Sequence, residues 1–197
     1  TACSAGNHAQ GVAFAAKKFG AHANIFIPET APLEKIEHTR RLGAEVTIVP
    51  GGFEDAKAAC EQYAAETGAV FIPPYDNYFI IAGQSTIAVE VLEALPETTA
   101  IIVPVGGGGL TSGIAFVAKQ IKPDIRIYGV QSEAAPGMVE SIKAGHPVTV
   151  PERNTLADGI HVARPGDITF EFARNFVDDF VTVSEEQISE AMRMLMM

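Results

Sequence analysis

Short, unbroken apolar runs alternate along this chain with segments of helical period, and few folds accept that pattern. ANIFIP (23–28), EVTIVP (45–50), AVFIPP (69–74), AIIVPV (100–105) and RIYGVQ (126–131) each read as a buried strand. Between them, GVAFAAKKFG (11–20), PLEKIEHTRRLG (32–43), FEDAKAACEQYAAETG (53–68) and IAGQSTIAVEVLEAL (81–95) read as helices, as does the stretch from GGGGL to Lys122. GMVESIKAG (137–145) continues the series, with a helix around Thr169 to Asn175, a strand FVTV (180–183) and a helix capped by Ser184. Strands that are apolar throughout are covered on both faces, which means parallel sheet under helices: an α/β protein. PPYDN (73–77) is the best place for the chain to cross between two sheet-centred lobes, a smaller one over 1–74 and part of a larger one over 75–197.

Composition excludes some functions. With 197 residues, 47% of them hydrophobic, the chain has ample material for a core, and its net charge of −10 disfavours nucleic acid and anionic membrane surfaces as partners. No apolar run approaches the ~20 residues of a membrane span. Cys3 and Cys60 form no CxxC pair or zinc-ligand spacing, which fits a reducing cytoplasm.

Two loops carry candidate chemistry. IIVPVGGGGLTSG places four glycines directly between an apolar strand and a helix. Residues without side chains let the backbone approach a ligand, and the helix N-terminus adds free donors and a positive dipole end, an arrangement suited to phosphate. It is neither a Walker loop nor a dinucleotide loop, since no GK[ST] or GxGxxG spacing follows. The alternative is a tight turn that packs helix on strand. TACSAGNHAQG (1–11) has no strand leading into it, and Ser4, Ala5, Gly6 and Asn7 sit just before a helix. Their N–H groups suit a carboxylate, and the Asn7 amide suits a hydroxyl or phenolate oxygen. The alternative here is that Ser4 or Asn7 is a helix cap and nothing else. Taken together, a phosphate loop and a carboxylate loop suit a phosphorylated cofactor that reacts with an amino acid.

SAGNHAQGVA, IPPYDN, IAGQSTIA, VPVGGGGL, IYGVQSE, TLADG and RPGD occur in the same order as in the fold-type-II threonine dehydratases dependent on pyridoxal 5'-phosphate, and the chain resembles that family over its whole length. QSE, TLADG and RPG look closer to the catabolic branch. The resemblance implies two parallel-sheet lobes of the tryptophan synthase β kind and β-elimination of L-threonine, and of L-serine, to a 2-oxo acid and ammonia. It implies that Asn7, Gly106, Gly107, Gly108, Gly109, Leu110 and Gly159 bind the cofactor, with Asn7 at its ring oxygen and the glycines at its phosphate. Ser4, Ala5, Gly6, Asn7 and His8 match the loop that grips the substrate carboxylate, and His8 contributes its backbone N–H rather than a catalytic ring.

The family's Schiff-base lysine matches nothing here. Lys17, Lys18, Lys35, Lys57, Lys119, Lys122 and Lys143 stand outside its motif and read as solvated. The lysine segment is expected upstream and the pyridine-nitrogen segment downstream, so the 197 residues alone are expected to be inactive. Related serine racemases use a second loop serine where this chain has Ala5, which disfavours racemisation. They also bind a divalent cation through a Glu and an Asp that align with Gln131 and Gly137, so no metal is expected there. A 3-hydroxyaspartate dehydratase, or a non-catalytic module that holds a phosphorylated ligand, would also fit these loops. Family resemblance further implies a homo-oligomer, a dimer or tetramer.

Overall fold

The computed structural model describes residues 1–151 and 153–196. The chain forms two compact units, residues 1–74 and 75–197, each built on a three-stranded parallel sheet.

In the first unit the order is β1 (Ala2–Cys3), α1 (Asn7–Phe19), β2 (Asn24–Pro28), α2 (Leu33–Arg41), β3 (Glu45–Val49) and α3 (Phe53–Thr67). The strands lie in the order β1-β2-β3, with Ala2 opposite Ile25 and Ile25 opposite Val46. β2 is buried at all five positions because both of its faces are covered. Alternate residues point to opposite faces. Ile25 and Ile27 pack with Ala9, Ala13 and Ile36 on one side, and Phe26 packs with Cys3, Ala56 and Cys60 on the other.

Two expectations are corrected in this unit. A short strand does lead into the opening loop, Ala2–Cys3, paired with Ile25 and Phe26. AVFIPP, in contrast, forms no strand. It lies beside Thr1, whose backbone nitrogen donates to the Val70 carbonyl at 2.8 Å and whose carbonyl accepts from the Ile72 N–H at 2.8 Å. Pro73 and Pro74 have no N–H to extend that ladder.

The second unit contains α4 (Tyr78–Ala94), β4 (Ala100–Pro104), α5 (Gly109–Ile121), β5 (Arg126–Ser132), α6 (Gly137–Ala144), a 3-10 turn (Asp158–Ile160), α7 (Asp167–Phe176), β6 (Asp179–Val183) and α8 (Glu185–Leu195). Its sheet runs β4-β5-β6, with Val103 opposite Gly129 and Gly129 opposite Phe180. Ile127 and Val103 pack with Ala88, Ile114 and Ala115, while Val105, Met138, Phe170 and Ala173 form a second cluster. The reading of every lysine as solvated fails at Lys119. Its Nζ donates to the Ile125 carbonyl at 2.6 Å and pairs with Asp178 at 2.8 Å, and the side chain is 19% exposed.

Candidate functional site

In the first unit the ladder ends when the Ser4 N–H donates to the Phe26 carbonyl at 3.2 Å. The chain then turns into α1. Gly6 is the residue before the helix, and no side chain caps it. Ser4 Oγ instead accepts from the Gly6 N–H at 3.1 Å, so the capping alternative fails for both Ser4 and Asn7. Asn7 opens the helix itself, with its amide exposed. Among the described residues, the N–H groups of Ala5, Asn7 and His8 find no acceptor. Free donors at a helix start form a seat for an anion, and a carboxylate is one.

The His8 ring is committed elsewhere. Its Nε2 lies 2.9 Å from the Ile72 carbonyl, which can only accept, so the proton sits on Nε2. Burial holds its pKa below the ordinary histidine value, with the Ile72 bond working against that shift. A neutral ring tied to the backbone fastens α1 to the 69–74 segment and leaves the His8 N–H as its contribution to the loop. The Ala5 methyl packs against the core. The thiol of Cys3, next to Ser4, is pushed up to about 12, first by burial and then by the Cys60 and Glu54 charges, so no thiolate nucleophile stands beside this loop.

In the second unit, Val105 carries the β4 ladder one step on, donating to the Val130 carbonyl at 2.8 Å. Gly106, Gly107 and Gly108 then turn the chain into α5, which starts at Gly109. Gly108 holds φ +98°, in the left-handed region that side chains resist. A Cβ on Gly107 would stand 2.4 Å from the Tyr75 ring, so only glycine fits. Among the described residues, the N–H groups of Gly106 to Leu110 find no acceptor. Five free donors at the start of a 13-residue helix, four of them on residues without side chains, can hold an anion such as phosphate.

Of the other residues singled out, Gly159 lies in the 3-10 turn, exposed, in a segment that runs past the glycine loop. A Cβ on Gly106 would meet Ile160 Cα at 3.1 Å and Val162 Cγ2 at 3.3 Å. Gln131 is fully buried, and both ends of its amide are used: Nε2 donates to the Val105 carbonyl at 3.1 Å, and Oε1 accepts from the Val139 N–H at 2.9 Å. Among the described residues no group of three His, Cys, Asp or Glu side chains could hold a metal ion. Among the described residues no helix is long and apolar enough to cross a membrane.

Sequence reasoning missed Tyr75, Asp76 and Thr169, which pack on or bond to the glycine loop and α7. Tyr75 and Asp76 fall within the IPPYDN motif and Thr169 lies two residues past RPGD, but neither motif says which loop these side chains support.

The fold is that of an α/β protein with parallel sheets, and each unit has a helix start whose free N–H groups could take an anion. The chain belongs to the pyridoxal-phosphate dependent enzyme family, whose profile matches residues 1–197. It is 47% identical over 195 residues to an L-threonine ammonia-lyase of Thermotoga maritima, covering 99% of this chain and 49% of that protein. Among solved structures, maize serine racemase superposes with a TM-score of 0.94 at 40% identity, covering 98% of this chain and 58% of that one. The processed form of threonine deaminase isoform 2 from Solanum lycopersicum gives 0.93 at 38%, covering 98% and 56%. The chain therefore spans about half the length of the relatives it matches.

Proposed function

We propose that the protein carrying this chain is a threonine ammonia-lyase that uses pyridoxal 5'-phosphate. The observation that carries the reading is the glycine loop, where five consecutive N–H groups at the start of α5 have no partner among the described residues. Gly106, Gly107, Gly108, Gly109 and Leu110 hold the cofactor phosphate, and the backbone at Gly159 passes beside it. In the first unit, Asn7 offers its exposed amide to the ring oxygen. The loop of Ser4, Ala5, Gly6, Asn7 and His8 receives the amino-acid carboxylate, on the N–H groups of Ala5, Asn7 and His8 and on the Ser4 hydroxyl, while the Ser4 and Gly6 N–H groups hold the loop's own shape. The bound cofactor supplies an electron sink for loss of the α-proton and the β-hydroxyl. This chain's residues orient the substrate, neutralise its carboxylate and fix the phosphate. The protein acts in the cytoplasm as a homo-oligomer.

Serine racemisation is the second reading, raised by the likeness to maize serine racemase. Against it stands Ala5, whose methyl packs on the core and has no proton to transfer. The test is to supply the full-length protein with cofactor and either L-threonine or L-serine. Formation of 2-oxobutyrate and pyruvate without D-serine is the expected result. D-serine accumulation without 2-oxo acid would replace the first reading by the second.

A further inference from the structure

The glycine loop is fixed from behind by a cluster that no part of the proposed reaction uses. The Gly107 carbonyl accepts two hydrogen bonds, from Thr169 Oγ1 at 2.6 Å and from the Gly166 N–H at 3.3 Å. Thr169 is fully buried, and its own carbonyl accepts from Ser112 Oγ of α5 at 3.2 Å. The start of α7, where Gly166 and Thr169 sit, is held in turn by Asp76. Its carboxylate accepts from the N–H groups of Asp167 at 3.0 Å, Ile168 at 2.9 Å and Thr169 at 3.1 Å. Tyr75 packs on the loop as well, with its ring against Gly107 and its Cβ and backbone against Gly109.

The geometry of the peptide group turns this packing into function. The Gly107 carbonyl and the Gly108 N–H belong to one planar trans peptide, so they point in opposite directions. Two donors that hold the carbonyl toward α7 aim the Gly108 N–H away from it, on the side where it has no partner among the described residues. Left alone, a run of four glycines would sample many peptide orientations. An anion seat made only of backbone N–H groups is strong when those groups are already aimed.

We infer that Thr169 is a positioning residue for the phosphate seat, with Asp76 holding the helix that presents it. The inference rests on reading the glycine loop as the phosphate site. It also predicts a separation between phosphate recognition and the rest of cofactor binding. Pyridoxal has the same ring and aldehyde as pyridoxal 5'-phosphate but lacks the phosphate, so the ratio of the two dissociation constants isolates the seat.

The experiment compares that ratio in the full-length wild type, Thr169→Val and Thr169→Ser, with the melting temperature of each cofactor-free protein measured alongside. Thr169→Val, nearly isosteric but without the hydroxyl, should lower the preference for the phosphorylated form about tenfold while pyridoxal binding stays unchanged. Thr169→Ser, which keeps the hydroxyl, should restore the preference. A purely structural role would lower the melting temperature and weaken both ligands together, and that result overturns the inference. An unchanged preference in Thr169→Val also overturns it and leaves the phosphate reading intact. No preference in the wild type overturns the phosphate reading itself. Should Thr169→Val not fold, Asp76→Asn carries the same comparison: a selective loss of phosphate preference supports the inference and an unchanged preference overturns it.

Discussion

At the scale of single residues, the site depends on what is missing from a side chain as much as on what is present. Gly107 is the clearest case, because its open face lies against the Tyr75 ring and the other side of its peptide is bonded to Thr169. Gly107→Ala would drive a methyl to within 2.4 Å of that ring. Tyr75 cannot swing aside freely, since its hydroxyl donates to the Arg164 carbonyl at 3.4 Å and its backbone lies 3.0 Å from the Cβ position of Gly109. The loop must move instead. The substitution should cost about 1–3 kcal/mol of stability, read by thermal melting, and should abolish the preference for phosphorylated over unphosphorylated pyridoxal. A melting temperature equal to wild type would show that the loop is looser than these contacts imply.

At the scale of elements, one carboxylate joins three of them. Asp178, in the turn between α7 and β6, accepts from Lys119 of α5 at 2.8 Å, from the Ile127 N–H of β5 at 2.7 Å and from Arg126 at 3.2 Å, and its side chain is 15% exposed. Burial acts to raise its pKa, but the Lys119 and Ile127 hydrogen bonds and the two nearby cations overcome that and hold it below the ordinary carboxylate value. A lowered folded-state pKa means the native protein binds fewer protons than the unfolded chain in that range. The contribution to stability is therefore complete above the ordinary Asp value and is lost as pH falls through the lower folded one. Asp178→Ala should destabilise by about 1–3 kcal/mol at pH 7 in denaturant unfolding, and the gap to wild type should narrow on acidification. A gap that stays constant into the acid range would mean that the carboxylate's charge does nothing. The same scale shows how much of the fold was legible. NIFIP was readable because both of its faces are covered, which makes the apolar pattern continuous; AIIVP is as apolar and does form a strand, but of its five residues only Val103 is buried and Ile102 is 71% exposed. The failures have local causes. AVFIPP has strand composition, but two prolines end its ladder, and Lys119 has a solvated residue's sequence context but meets the Asp178 carboxylate, 59 residues on in the chain, at 2.8 Å. Of the candidate site, the two donor loops were visible because glycine and small residues before a helix have few other uses. The support from Tyr75, Asp76 and Thr169 was not, because those contacts span 32 to 93 positions and leave no periodic trace.

At the scale of the whole molecule, the question is which nucleophile holds the cofactor aldehyde. The structure narrows the field among this chain's own amines. Lys119 is locked between Asp178 and the Ile125 carbonyl, Lys122 donates to the carbonyls of Pro96 and Thr98, and Lys143 pairs with Glu140. Lys17, Lys18, Lys35 and Lys57 lie on helices of the first unit. None stands in the family's lysine motif, and an imine needs an amine held at the cofactor aldehyde, free of other bonds. The prediction is that the 197-residue chain, mixed with pyridoxal 5'-phosphate and reduced with borohydride, keeps its mass of 20.9 kDa. It should also form no 2-oxobutyrate from L-threonine. In the full-length protein under the same treatment, peptide mapping should place the reduced adduct on a lysine outside these residues. Free phosphate or pyridoxal 5'-phosphate should still protect the short chain from thermal unfolding, because the glycine loop and its support lie wholly within the second unit. An adduct on one of the seven lysines would overturn the assignment of the nucleophile while leaving the phosphate seat standing. Loss of protection together with absence of an adduct would show that the seat needs more of the protein than these residues provide.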